Sequence, residues 1–281
     1  MIRRVAPAHA PAERARAWLD VRDEAAFARG HLPGAGHVPA PELGPRRAEL
    51  PPRDRGVLVL ADSGAEAEAA AAALAGMGYS DVAWLDAPAT ALPGGDAGRE
   101  PAARLWRPAP FLAHMLPRLP RGRAIDLAAG SGREAVFLAM HGFQVEAWDH
   151  APEALARAAD LARRNGVALT PVVADLERGA PPLPERAFQL VTCFRFLHRP
   201  LFPAIARALA PGGALVYETY RVGQERFGHP RRRAFLLEPN ELSSAFPGLS
   251  VERYEESDPA QGPVTARLLA RKPPSLEGDR P

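Results

Sequence analysis

The chain has 281 residues, 47% of them hydrophobic, and its 35 basic against 33 acidic side chains give a formal net charge of +2. That length allows two ordinary domains with cores of their own, the apolar content excludes global disorder, and the small charge gives no reason to expect a nucleic-acid partner. One cysteine, Cys193, excludes an intramolecular disulfide framework and a CxxC metal site; no apolar run approaches a membrane span and none follows the first arginines as a leader would, so the expected location is cytoplasmic, away from membranes.

In chain order, residues 16–21 read as a strand and 23–29 as a short helix ending at Gly30. Residues 56–60 are an apolar run of strand length, 65–77 an alanine-rich helix ending at Gly78, and 82–85 another strand. Such alternation is an α/β sheet pattern. The stretch 87–107 carries Pro88, Pro93, Gly94, Gly95, Gly98 and Pro101 with little apolar periodicity, which is a linker composition. The expected organisation is therefore a first domain at 1–90, a linker at 91–107, a second domain at 108–272 and a polar tail at 273–281.

Within the first domain, Leu19-Asp-Val-Arg22, Phe27, Gly30-His-Leu-Pro-Gly-Ala35 and His37-Val-Pro39 resemble the rhodanese signature. Gly78-Tyr-Ser-Asp-Val82 and Trp84-Leu85 resemble the last helix and strand of that family. The resemblance implies a cysteine opening a strand-to-helix loop whose N–H groups stabilise a thiolate or an anion. Here the matching segment is Val59-Leu-Ala-Asp-Ser-Gly64, with Ala61 at the cysteine position, Glu66 where the family carries a basic residue, and no cysteine in residues 1–110. The expectation is a catalytically degenerate module that serves structure, partner docking or anion sensing. Ser63 reads as an ordinary turn serine, and His31 and His37 as residues of the signature loop that bond backbone groups.

The second domain announces itself at Asp126-Leu-Ala-Ala-Gly130-Ser-Gly132-Arg133, between a short strand at 123–125 and a helix at 134–140. A strand ending in an acid, a glycine turn and a helix together make a nucleotide-cofactor cradle. Further strands are expected at 143–148, 169–173, 188–193 and 214–217, helices at 152–165, 201–209 and 238–246, and a closing strand pair at 249–254 and 264–271. Pro152 opens the first of those helices and Gly166 follows it. The layout is a doubly wound, mostly parallel seven-stranded Rossmann-like sheet.

Two cofactor classes suit this layout. Gly130-x-Gly132-x-x-Ala135 fits a dinucleotide fingerprint with Asp149 near the ribose position, which leaves an NAD(P)-dependent oxidoreductase open. Four features favour S-adenosylmethionine: Asp126 within reach of an ammonium group, Asp149 for both ribose hydroxyls, Asp175 for the adenine amino group, and Pro211-Gly212-Gly213 before the fifth strand. For each acid the plain alternative is a helix cap or a surface charge. Together these features resemble the class I methyltransferase family over about residues 105–272. Gly132-Arg133 with Phe137-Leu-Ala139 is similar to its thiopurine and tellurite-resistance branch, in which 105–112 looks like a lid segment. The resemblance extends the expected cofactor set to Ala128, His150, Leu176 and Cys193.

The resemblance implies methyl transfer but not its acceptor; a small molecule with a soft or acidic nucleophile is the expectation, with a non-enzymatic cofactor-binding sensor as the alternative that leaves the same cradle. Acceptor residues belong at the carboxyl ends of the fourth and fifth strands. That criterion selects Cys193, Phe194, Arg195, His198, Glu218 and Tyr220, of which His198, Arg195 and Tyr220 are the catalytic candidates; Glu218, with Arg199 and with Arg226 and Arg231 of the following insert, is a candidate for the substrate. His198 competes with a structural role at the start of its helix, and Cys193 with that of a small buried hydrophobe. The insert 220–237 carries Arg221, Arg226 and Arg231 to Arg233 among turn residues and aromatics. It reads as a solvated face, as a mobile lid over an anionic acceptor, or as an RNA-binding surface, with the lid favoured.

Overall fold

The computed structural model describes residues 2–178, 182–260 and 262–274, so most of the expected tail lies outside the described residues. The chain divides into two units, Met1–Arg107 and Pro108–Pro281.

In the first unit, strands Ile2–Val5 (β1), Ala17–Asp20 (β2), Gly36–His37 (β3), Val57–Leu60 (β4) and Val82–Leu85 (β5) form one sheet in the order β1-β5-β4-β2-β3. Every pairing is parallel. Parallel strands need crossovers, which cover the sheet faces, and β4 and β5 accordingly bury every residue. Helix Glu24–Arg29 (α1) is capped by Asp23, whose carboxylate accepts the Ala26 N–H at 2.6 Å. Helix Gly64–Gly76 (α2) is capped by Ser63, which accepts the Glu66 N–H at 3.3 Å. Its buried residues Ala67, Ala70, Ala71 and Leu74 follow the helical period, and their small size lets the helix lie close to β5.

The signature loop is held by polar groups turned inward. Arg22 pairs with Asp20 at 2.7 Å and donates to the Gly30 carbonyl at 2.9 Å. The His31 ring meets the Phe27 carbonyl and the His37 ring the Arg22 carbonyl, at 3.2 and 2.9 Å. Both imidazoles stack on Phe27, with centroids 3.8 and 4.2 Å away. Both histidines thus bond backbone, as the sequence suggested.

Residues 91–107 depart from the linker expectation. His31 and Gly98 exchange backbone hydrogen bonds of 3.3 and 2.7 Å, and the Ala103 N–H donates to Ala35 at 2.9 Å. Leu105 is buried in the first unit's core and fills the space that a Cβ on Gly36 would need. Backbone pairing and one anchoring side chain fix the segment, and neither produces apolar periodicity.

In the second unit, helix Pro110–Met115 (α3) precedes strand Arg123–Leu127 (β6), helix Arg133–Met140 (α4), strand Gln144–Asp149 (β7), helix Pro152–Arg164 (α5) and strand Thr170–Val173 (β8). Then come strand Phe188–Phe194 (β9), helix Phe202–Ala208 (α6), strand Leu209–Tyr220 (β10), helix Glu241–Ser244 (α7) and strands Ser250–Ser257 (β11) and Thr265–Arg271 (β12). The sheet order is β11-β12-β10-β9-β6-β7-β8. Only β12 runs antiparallel to its neighbours. The expected turn at 211–213 lies inside β10, where the register against β9 slips between Leu209 and Ala214. The helix expected over 238–246 shortens to the single turn of α7. Strand order reverses at β6, which lies between β9 and β7, and the crevice at such a switch point is where open parallel sheets bind ligands.

Candidate functional site

The turn after β6 is built from left-handed backbone: Ala128 has φ 56°, Gly130 φ 54° and Gly132 φ 77°. The two glycines serve different ends. A Cβ on Gly132 would come within 2.5 Å of the Ala158 Cβ, so this glycine lets α4 and α5 close on each other. A Cβ on Gly130 would meet no protein atom within 4 Å, so the space beside it is open to a ligand. The Ala129 N–H donates to the Trp148 carbonyl at 2.9 Å and ties the turn to β7.

Three acids follow at the carboxyl ends of neighbouring strands. Asp126, in β6, is 2% exposed. Its Oδ1 accepts the Thr192 hydroxyl at 2.7 Å, while Oδ2 has no hydrogen-bond partner of normal geometry among the described residues. Burial pushes this carboxyl up to about 8 and the Glu134 charge adds to the shift, against the Thr192 hydroxyl and the Ala135 N–H. Asp149 ends β7 and shapes the turn: Oδ2 accepts the Gly130 N–H at 2.8 Å and Oδ1 the Ala151 N–H at 2.9 Å. Each oxygen keeps acceptor capacity for a further donor. Asp175 is exposed, and its Oδ1 caps the following turn through the N–H groups of Glu177 and Arg178, both at 3.0 Å. The plain capping role is thus realised on one oxygen. Asp149, Asp175, Ala128, His150, Leu176 and Phe196 line a cleft of about 310 Å³.

A second cleft of about 740 Å³ shares Glu177 and Phe196 with the first. It brings together Arg195, Tyr220 and Arg231 of the expected acceptor residues, and adds Thr219, His229, Arg232 and Phe235. Arg195, just beyond β9, has φ 58°.

Other candidates sit elsewhere. Cys193 is wholly buried in the core, its thiol facing the Phe196 carbonyl at 3.9 Å, and burial pushes it up to about 12. It lines neither cleft and belongs to the hydrophobic core of the second unit. His198 lines neither cleft. Arg199 is taken up by a clamp: it grips Glu241 at 2.5 and 2.8 Å and donates to the carbonyls of Ala234 and Leu236 at 3.0 and 2.9 Å. Arg226 is held by Asp258 and by the Gly223 carbonyl. Glu218 is buried with Oε2 3.4 Å from Arg267, and burial raises its carboxyl. It lines neither cleft; the charges of Arg267 and Arg195 oppose the rise, and those of Glu134 and Glu255 add to it.

Sequence reasoning missed Thr192, the Asp126 partner, and Glu134, which accepts the Ala109 N–H at 3.0 Å and anchors the segment entering α3. It also missed Phe196 and His229. Phe196 stands three residues past Cys193, where the end of the fourth strand had already been singled out.

The insert is pinned at its base rather than loose. Val222 and Leu237 pair through backbone at 2.9 Å, the Leu237 N–H donates to Tyr220 at 3.0 Å, and Leu236 and Leu237 are buried. Buried Gln224 reaches the His229 carbonyl and accepts the Val264 N–H at 2.8 Å.

Comparison with known proteins bears on both units. Residues 6–87 match the family model of a rhodanese-like domain, and residues 124–213 that of a methyltransferase domain. Thiosulfate sulfurtransferase GlpE of Pseudomonas fluorescens is 38% identical over 88 residues, covering 30% of this chain and 78% of that protein. Hemagglutinin 1 of Eikenella corrodens is 27% identical over 167 residues, 54% of this chain and 55% of that protein, so the chain spans about half the length of this relative. Among solved structures, TehB from Haemophilus influenzae aligns with a TM-score of 0.49 at 18% identity, over 59% of this chain and 62% of that one. The chain belongs to the rhodanese-like family over its first unit, and its second unit carries a methyltransferase domain.

Proposed function

We propose that the second unit is an S-adenosylmethionine-dependent methyltransferase acting on a small-molecule acceptor. The observation that carries this reading is the row of acids Asp126, Asp149 and Asp175 at the carboxyl ends of β6, β7 and β8, beside an open glycine turn. The residues fit the cofactor. A buried carboxylate with an unpartnered oxygen calls for a cationic N–H donor, which the ammonium of a methionine moiety supplies; the pyridinium ring of an oxidised nicotinamide dinucleotide is a cation without an N–H on its charged nitrogen. Asp149 has acceptor capacity left for two ribose hydroxyls, and Asp175 and Leu176 line the same cleft, which supports giving them the adenine.

When bound, the cofactor supplies an electrophilic methyl group on a cationic sulfur, which keeps the bonding electron pair as the acceptor's lone pair displaces it in line. This chain's residues chiefly align and exclude water. Phe196 separates the two clefts and offers both an apolar wall. Arg195 and Tyr220 orient the acceptor from the ends of β9 and β10. For an acceptor that arrives protonated, an imidazole nitrogen of His229 is the cleft's base. Transfer of label from methyl-labelled S-adenosylmethionine to a small-molecule panel, with release of S-adenosylhomocysteine, tests this reading; cofactor binding without turnover on any acceptor would favour the sensor.

The rhodanese-like unit is proposed to lack sulfurtransferase activity and to serve structure or the docking of a protein partner. Ala61 opens the loop between β4 and α2, and the unit has no thiol to carry a persulfide. Thiocyanate production from thiosulfate and cyanide, persisting in Cys193→Ser, would overturn this. A cytoplasmic location fits the single cysteine, and among the described residues no helix is long and apolar enough to cross a membrane.

A further inference from the structure

The arginines around the second cleft fall into two groups. Arg199, Arg221, Arg226 and Arg233 each face a carboxylate, namely Glu241, Glu256, Asp258 and Glu238. Arg195, Arg231 and Arg232, which line the cleft, make no hydrogen bond or ion pair through their side chains among the described residues. The fold has neutralised the cations outside the cleft, while inside it Arg195 is offset only by the charge of Glu218 and Arg231 and Arg232 face no carboxylate among the described residues. Guanidinium groups lining a concave, partly apolar wall focus a positive potential into it, and their fork geometry matches carboxylates and phosphates.

Two independent features mark the same place. Arg195, which lines the cleft, holds a left-handed backbone at φ 58°, a conformation costly for a side chain of its size. Phe196, Tyr220 and Phe235 line the cleft beside the cations, and Phe235 stays 40% exposed. Aromatic faces next to guanidinium groups suit a flat, conjugated body with a charged end. A volume of about 740 Å³ lies within the range of small-molecule pockets, roughly 300–1,000 Å³. The pinned base of the insert keeps this wall in place without a ligand.

We propose that the acceptor is an anionic aromatic small molecule, bearing a carboxylate or phosphate that Arg195, Arg231 and Arg232 hold while its ring lies against Phe196, Tyr220 and Phe235. The proposal rests on the methyltransferase reading and narrows its substrate class. The charged group acts as a handle that turns the ring toward the first cleft. Glu177, at the junction of the two clefts, repels a second negative charge there and so fixes which end of the acceptor enters.

The test uses the full chain saturated with S-adenosylhomocysteine. Benzoate, naphthoate and phenyl phosphate are titrated by calorimetry, each against its uncharged counterpart (benzamide, naphthamide, phenol). At least one anion is expected to bind about tenfold or more tighter than its neutral partner, the scale of one charge-assisted contact. The double variant Arg231→Gln, Arg232→Gln should lose that margin while its S-adenosylhomocysteine affinity is unchanged. Arg233→Gln removes one positive charge, against two in the double variant, from the same insert outside the cleft and should leave anion binding intact. Absence of anion binding, equal affinity for the neutral partners, or an equal loss in Arg233→Gln would overturn the proposal. So would salt-sensitive binding of an oligouridine that displaces the anions and disappears in the double variant, since that assigns the cleft to RNA. Failure of S-adenosylhomocysteine itself to bind would remove the methyltransferase reading and this proposal with it; its binding with no preference for anions removes this proposal alone.

Discussion

Asp126→Asn should stabilise the ligand-free protein at alkaline pH and cripple cofactor binding. Burial moves this carboxyl from its ordinary 3.8 to about 8. At about 1.4 kcal/mol per pH unit, the ionised side chain costs the folded state up to about 6 kcal/mol. The sign follows from where the proton sits: between these values the folded protein holds it and the unfolded chain does not. The stability this group contributes is complete below about pH 4 and is lost as pH rises through 8. Asparagine cannot ionise, yet its carbonyl can still accept the Thr192 hydroxyl now held at 2.7 Å. Urea unfolding followed by circular dichroism should therefore show the variant gaining on the parent between pH 4.5 and 8.5, by several kcal/mol. Affinity for S-adenosylhomocysteine should move the opposite way. In the parent it should climb by up to about tenfold per unit from pH 6 to 8, because only the ionised carboxylate pairs with an ammonium. In the variant it should be weak and flat. A stability difference that is the same at both pH values, with unaltered affinity, would refute the reasoning.

Three further substitutions separate cradle from scaffold. Asp149→Ala should weaken S-adenosylhomocysteine by about 2–4 kcal/mol, the scale of two charge-assisted hydrogen bonds, with Asp149→Asn between; calorimetry showing no change in a folded variant removes Asp149 from the ribose. Gly132→Ala drives a Cβ to 2.5 Å from Ala158 at φ 77° and should cost about 1–3 kcal/mol of stability by thermal unfolding. Gly130→Ala meets no protein atom, so it should cost only about 1 kcal/mol of backbone strain yet lose cofactor affinity; equal destabilisation by the two would contradict the division of roles. Arg199→Ala opens the clamp on Ala234, Leu236 and Glu241, and limited proteolysis should then cut the insert faster while cofactor affinity stays; an unaltered cutting rate would show that the clamp does not hold it.

Both sheets were legible because their inner strands are largely apolar runs closed by turn residues, such as Val57–Leu60 and Phe188–Phe194, the latter broken only by Gln189 and Thr192. What escaped is what only tertiary pairing defines. Ile2–Val5 buries one residue of four and becomes a strand by pairing with β5 at the sheet edge. Residues 91–107 look like a linker until His31 pairs with Gly98 and Leu105 packs over Gly36. The acids of the cradle could be read from their order along the chain, since each follows a strand. Which arginines are paired could not: Arg199 and Arg195 are four residues apart, and one reaches Glu241 across the fold while the other turns into a cleft. Distant partners of that kind leave no local signal.

The central claim, that the cradle is built for S-adenosylmethionine, is tested most directly by calorimetry of the full chain with S-adenosylhomocysteine and with NADH. The account expects one S-adenosylhomocysteine per chain at micromolar affinity or tighter, weakened in both Asp126→Asn and Asp149→Ala, and no heat from NADH. Tighter binding of NADH, or S-adenosylhomocysteine binding indifferent to both aspartates, would contradict it.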